Sequence, residues 1–195
     1  MAMRKFDTTS TPTAANTVAW NYKMFFPKDN YIIRCISEVV GVSSGGNPMV
    51  TLEWEIVNAT PQQIGDNLVD FDGTKFKSYH VTSVKSAENA TPEEIQVKSF
   101  KAAKGYQDRV LVPCGIDVSN GWDDENPPSI LGKVVHALLG ADENEQRATP
   151  TPEERAQGKK MGKVINDPLT GKPVIMYNIK LETIYGLFTG DVILK

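Results

Sequence analysis

Residues 31–57 constrain the fold more than any other stretch of the chain. Two β-rich runs, Tyr31-Ile-Ile-Arg-Cys-Ile-Ser-Glu-Val-Val-Gly-Val-Ser43 and Pro48-Met-Val-Thr-Leu-Glu-Trp-Glu-Ile-Val57, flank Ser44-Gly-Gly-Asn47. Glycine and asparagine reach positive φ cheaply, so the cluster reads as the turn of a β-hairpin. In the second run Val50, Leu52, Trp54 and Ile56 fall on one face and Thr51, Glu53 and Glu55 on the other. That is a strand with one wet face, and the alternation assigns Trp54 to the core rather than to a stacking platform. The first run is apolar on both faces, which makes it central in a sheet or strongly curved, and Gly41 marks an expected bulge or bend. An antiparallel meander and the start of a small barrel both fit this stretch.

The rest of the chain gives few signs of catalysis. The only histidines are His80 and His136, and with Cys35 and Cys114 they show no metal-ligand spacing. There is no phosphate loop and no nucleophile elbow, and Gly158-Lys-Lys160 lacks the glycine array a phosphate loop needs. No catalytic residue, metal or cofactor is expected, and an enzyme is not expected. Two cysteines are too few for a disulfide framework and suit a reducing compartment. No apolar run approaches the length of about 20 residues that spans a membrane. The segment after Met1 carries Arg4 and Lys5 with no apolar core behind them. No leader and no membrane are expected, and the expected location is cytoplasmic.

Net charge is −3, so the chain is not a uniformly basic nucleic-acid binder. The signs are segregated, however. Between Lys75 and Arg109 seven Lys or Arg stand against four acids, and between Arg155 and Lys180 six stand against Asp167 alone. Between Asp123 and Glu154 eight acids stand against Lys133 and Arg147. Screening cuts fields off within roughly 10 Å, so local sign decides how a polyanion docks. The segregation fits a basic groove, and it fits unremarkable patterning as well.

Residues 1–16 carry little to bury and read as a flexible N-terminal arm. Residues 18–26 are aromatic-dense, and packing on the core is favoured there over base stacking. A third strand candidate spans residues 68–84, interrupted at Gly73. Its second half places Lys75, Lys77 and Tyr79 on one face, with Phe76, Ser78 and His80 on the other. Cations interleaved with an aromatic suit single-stranded nucleic acid, which needs charge for phosphates and a flat ring for bases. An edge strand also carries lysine against aggregation. Thr91-Pro-Glu-Glu94 is a capping box, and the helix it opens is expected to continue to about Tyr106, with an end near Gly105. Its lysines at 98, 101 and 104 read as a solvated face, with phosphate contact as the alternative. Residues 110–118 read as a buried connection and 130–139 as a fourth strand. Thr149-Pro-Thr-Pro-Glu-Glu154 is a second cap-like signal, and a second hairpin is expected about the turn Asp167-Pro-Leu-Thr-Gly-Lys172. In the last strand Ile175, Tyr177, Ile179 and Leu181 alternate inward.

This tally gives a mainly β chain: a five-stranded OB-fold barrel with a helix between strands 3 and 4 and a long insertion, residues 141–163, between strands 4 and 5. The arm and one domain, 17–195, account for the sequence. An ordered set of short motifs between about residues 30 and 185 resembles bacteriophage single-stranded DNA-binding proteins of the OB-fold type. The set comprises Tyr31-Ile-Ile-Arg-Cys-Ile-Ser-Glu38, Ser44-Gly-Gly-Asn-Pro-Met49, Val50-Thr-Leu-Glu-Trp-Glu-Ile-Val57, Gly115-Ile116, Leu131-Gly-Lys133 and Tyr177-Asn-Ile-Lys180. The chain differs from many such proteins in its long insertion and in ending at Lys195 without an acidic tail.

The resemblance implies sequence-tolerant binding of single-stranded DNA in phage replication, recombination or repair. Expected partners are single-stranded DNA and replication or recombination proteins, with self-association left open. The expected contacts are Lys75, Lys77 and Tyr79, joined by Arg34 on the first strand and Lys159, Lys160 and Lys163 on the insertion. The alternative is a phage structural or assembly protein that uses a β-barrel for protein–protein contacts. A third reading, an oligosaccharide-binding barrel, rests on fold analogy alone.

Overall fold

The computed structural model of the chain describes residues 17–192, so the expected arm at 1–16 lies outside the described residues. The chain forms β1 (Thr17–Ala19), β2 (Asp29–Val42), β3 (Pro48–Val57), β4 (Gln62–Ile64), β5 (Asn67–Asp70) and β6 (Lys75–Val81). Helix α1 (Pro92–Tyr106), β7 (Val134–Glu145), α2 (Pro152–Ala156) and β8 (Ile175–Leu187) complete the order. Three short strands make one sheet, ordered β1-β5-β4, and five make a second, ordered β6-β3-β2-β7-β8.

The residue 31–57 pattern folds as its chemistry requires. β2 and β3 pair antiparallel from Ile32 opposite Val57 to Val42 opposite Pro48. Gly46 supplies positive φ (76°) in the turn, where Gly46 N donates to Ser43 O at 2.9 Å. Val50, Leu52, Trp54 and Ile56 are wholly buried. β2 lies at the centre of its sheet between β3 and β7; Tyr31, Ile33 and Cys35 on one face are buried, and Ile32 and Ile36 on the other are half-buried. The bulge falls between Cys35 and Ser37 rather than at Gly41, which keeps regular register opposite Met49. Beside the bulge Cys35 N donates to Lys133 O and Gly132 N to Cys35 O, each at 2.9 Å, so the segment entering β7 docks there.

The expected fold class requires correction. The described residues form eight strands in two sheets, not five in one closed barrel, and α1 follows the sixth strand. The larger sheet is open: its order ends at β6 on one side and β8 on the other. The run at 68–84 misled the count, because it is two strands in different sheets. Gly73 turns the chain between them at φ 76°, its N–H donating to Ile56 O at 2.8 Å. β5 then pairs parallel with β1, while β6 pairs antiparallel with β3. The expected second hairpin forms, but it is short: Asp167 N donates to Lys172 O at 2.8 Å and Val174 N to Ile165 O at 2.9 Å, around the antiparallel bridge of Asn166 with Pro173. Beyond it β8 pairs with β7 rather than with residues 163–166. Residues 141–145, assigned to the insertion, extend β7.

The small sheet and the aromatic run before β2 close one side of the core. Phe26 packs against Trp20, Tyr31 and Phe71 at ring distances of 5.5, 5.2 and 5.3 Å. The core reading of residues 18–26 therefore holds for Trp20 and Phe26, while Tyr22 and Phe25 stay exposed. On another side α1 begins with the expected capping box: Thr91 Oγ1 accepts from Glu94 N at 3.2 Å, and Glu94 Oε2 from Thr91 N at 3.0 Å. Thr91→Ala is expected to lower stability by about 1 kcal/mol, read as a shifted urea midpoint at unchanged slope. An unshifted midpoint would show that the first turn of α1 frays without cost.

α1 ends at Tyr106, as expected, although Gly105 holds no positive φ. The chain continues through a π-helical turn, Gln107–Leu111, and stops at Gly115, whose φ is 72°. Val110, Leu111 and Cys114 enter the core, so the expected buried connection is present. No helix among the described residues is long and apolar enough to cross a membrane.

Candidate nucleic-acid interface

β6 and β8 are the outer strands of the open sheet, and residues from both line a cleft between them. Its wide end, about 780 Å³, is bordered by Trp20, Tyr22, Lys75, Lys77, Tyr79 and Tyr177 among others. Its narrow end, about 370 Å³, is bordered by Lys77, Tyr79, His80, Arg109, Asn178 and Lys180 among others. Lys77, Tyr79, Asn178 and Ile179 border both ends.

Strand alternation positions the β6 side chains. Phe76 is buried, while Lys75, Lys77 and Tyr79 point outward, with Tyr79 64% exposed. The opposite wall is set by the chain before β2. Tyr177 N donates to Tyr22 O at 2.7 Å, and the Tyr177 ring meets Phe25 edge-on at 5.8 Å. Tyr22, 49% exposed, stands beside Lys23, whose Nζ lies 5.9 Å from its ring centre. Tyr22, Tyr79, Tyr177, Lys75 and Lys77 thus border one space.

The sheet's outer face is not uniformly basic. In register, Glu55 stands opposite Lys75 and Glu53 opposite Lys77. Arg34 lies in the same row and gives its Nη2 to Glu55 Oε2 at 2.5 Å. Arg34 is therefore half-buried in a cross-strand ion pair, and it does not line the cleft. Its sequence position gave no sign of this, because the pairing depends on the register of β3. Neither Lys75 nor Lys77 comes within ion-pair distance of a carboxylate among the described residues, although Glu55 and Glu53 stand opposite them.

The insertion contributes unevenly. Lys160 lines a separate hollow of about 520 Å³ with Arg147, Met161 and Met176, and that hollow shares Asn178 with the cleft. Lys159 leans to Glu154 at 3.8 Å, and Lys163 is exposed and lines neither space. Sequence reasoning missed Tyr22, Tyr177, Asn178 and Arg109. The aromatic run signalled Tyr22 but not which of its rings stay outside. Tyr177 alternates inward as expected, yet it sits half-buried at the cleft because β8 is an outer strand.

A short hydrogen-bond chain supports the floor of the narrow end. Trp54 Nε1 donates to Ser78 Oγ at 2.9 Å, and Ser78 Oγ lies 2.9 Å from His80 Nε2. Ser78 and His80 have the separation of a nucleophile and its base. Burial, with the Arg109 guanidinium adding to it, lowers His80 to about 4. A base that must become a cation beside a guanidinium is poorly set for proton transfer, so the pair serves as a link between β3 and β6. No group of three or more metal-binding side chains occurs among the described residues.

His80 also makes stability depend on pH. The unfolded chain takes up a proton near the ordinary value of 6.5, whereas the folded chain resists until about 4. This contribution is complete above the unfolded value and is lost as pH falls through that window. Urea unfolding between about pH 6.5 and 5, above most carboxylate titration, is expected to show declining stability that His80→Gln flattens. An unchanged slope in that variant would assign the decline to other groups. The chain matches no protein-family model, no curated protein and no solved structure.

Proposed function

We propose that the chain binds single-stranded DNA with little sequence preference, laying the strand along the cleft between β6 and β8. The observation that carries this reading is the convergence of Tyr22, Tyr79 and Tyr177 with Lys75 and Lys77 on one open space. Every base has a π-face and every nucleotide a phosphate, so rings and cations together bind single strands whatever their sequence. Duplex DNA hides its bases from such rings. The motif resemblance supports the same reading, with a role in phage replication, recombination or repair. Free, buried Cys35 and Cys114 suit a reducing cytoplasm.

The test is an anisotropy titration of labelled oligo-dT at ~50 and ~200 mM salt, with duplex DNA as competitor. The proposal expects submicromolar binding that weakens with salt and resists duplex. Absence of binding at low salt would overturn it.

One observation favours the assembly-protein reading. At the far end of β2, Val39, Val40 and Val42 are 58%, 45% and 68% exposed. Apolar side chains grouped at a hairpin end suit a protein contact. That reading expects specific association with another protein and no affinity for oligo-dT.

A further inference from the structure

We propose that the two ends of the cleft divide the work: the narrow end is a phosphodiester subsite contacted by Arg109 and Lys77, and the wide end holds bases against Tyr22, Tyr79 and Tyr177. The inference deepens the single-strand reading and rests on it.

The π-helical turn is the local cause. In an α-helix each N–H bonds four residues back, but here Val112 N reaches Gln107 O, five residues back, at 2.9 Å. One extra residue in a turn rotates the later side chains by about 100° around the helix axis. Val110 and Leu111 consequently enter the core, and Arg109 is left exposed at the lip of the narrow end. π turns recur at functional sites because they trade regular bonding for the aim of one side chain.

Charge accounting at this end points to an anion. Its carboxylates are already matched: Asp142 lies 3.6 Å from Lys180 Nζ, and Glu182 2.5 Å from Lys28 Nζ. His80 adds no positive charge at neutral pH. Lys77 and Arg109 make no ion pair among the described residues, so both are available to a phosphate. The ring inventory runs the other way. Tyr22 and Tyr177 border only the wide end, and Tyr79 stands where the two ends meet. A planar guanidinium contacts a phosphate through two N–H groups at once, which suits it to hold a backbone in place.

The test uses two labelled oligomers of equal length, oligo-dT and a wholly abasic strand with the same phosphodiester backbone. Arg109→Ala is expected to weaken both by roughly three- to tenfold near ~0.1 M salt and to lower the salt slope by about one. Arg109→Lys should keep the slope. Tyr79→Ala should weaken oligo-dT and leave the abasic strand nearly unchanged. Unfolding midpoints of the variants separate lost contacts from lost folding. Wild-type protein that binds oligo-dT while Arg109→Ala changes neither affinity nor slope would overturn the subsite and leave the single-strand reading standing. So would an Arg109→Ala loss confined to oligo-dT, or wild-type protein that ignores the abasic strand at low salt. Failure of the wild-type chain to bind either oligomer would overturn both.

Discussion

Trp54→Ala is expected to destabilise the chain by about 3–5 kcal/mol, the range for deleting a large, fully buried aromatic side chain. Trp54 is wholly buried in the middle strand of the β6-β3-β2 half of the sheet. Its removal opens a cavity beneath the cleft and takes away the donor that fixes Ser78. Net stabilities of single domains are about 5–15 kcal/mol, so the loss is a large share of the whole. Urea unfolding followed by far-UV circular dichroism should show a much lower midpoint. Trp54→Phe keeps a buried ring and loses the indole donor, so it should cost distinctly less. Equal losses in the two variants would show that the hydrogen bond to Ser78, not burial, dominates. A midpoint within error of wild type for Trp54→Ala would contradict the packing described for β3.

The second large effect is on binding and should leave folding intact. Tyr79→Ala is expected to weaken oligo-dT binding by about 1–3 kcal/mol, the range for one base–aromatic stack. Tyr79 is mostly exposed and buries little that the fold needs, so its unfolding midpoint should stay near wild type. Tyr79→Phe keeps the ring and should retain most of the affinity. If Tyr79→Phe lost as much as Tyr79→Ala, the phenol hydroxyl would be the contact and stacking would be excluded. Unchanged affinity in Tyr79→Ala would remove β6 from the binding surface.

Features controlled by local chemistry were legible in the sequence. The turn at Ser44-Gly-Gly-Asn47, the inward face of β3 and both capping boxes depend on residues within a few positions of each other. Each appears as read, the second box with Thr151 Oγ1 accepting from Glu154 N at 3.2 Å. The placement of Lys75, Lys77 and Tyr79 on one exposed face comes from strand alternation and was equally readable.

Closure and pairing were not readable, because they depend on segments far apart in the chain. β1 pairs parallel with β5 across about fifty residues, and nothing in Thr17-Val-Ala19 specifies that partner. Whether β6 meets β8 or leaves a cleft is decided by how the whole sheet is placed. Counting strands could not decide it, and the barrel expectation failed there. Arg34 illustrates the same limit within the site: its charge was visible, but its commitment to Glu55 required the β2–β3 register. Arg109 illustrates it after α1: the helix ends at Tyr106 as read, but the π-helical turn that follows and places Arg109 was not read.

The measurement that bears most directly on the central claim is ultraviolet crosslinking of the full chain to oligo-dT, with adducts mapped by peptide mass spectrometry. The cleft account predicts adducts on Tyr22, Tyr79 or Tyr177, reduced by unlabelled oligo-dT and not by duplex. Adducts confined to α1, to the far end of β2 or to the outer part of the insertion, with none on the three tyrosines, would contradict it.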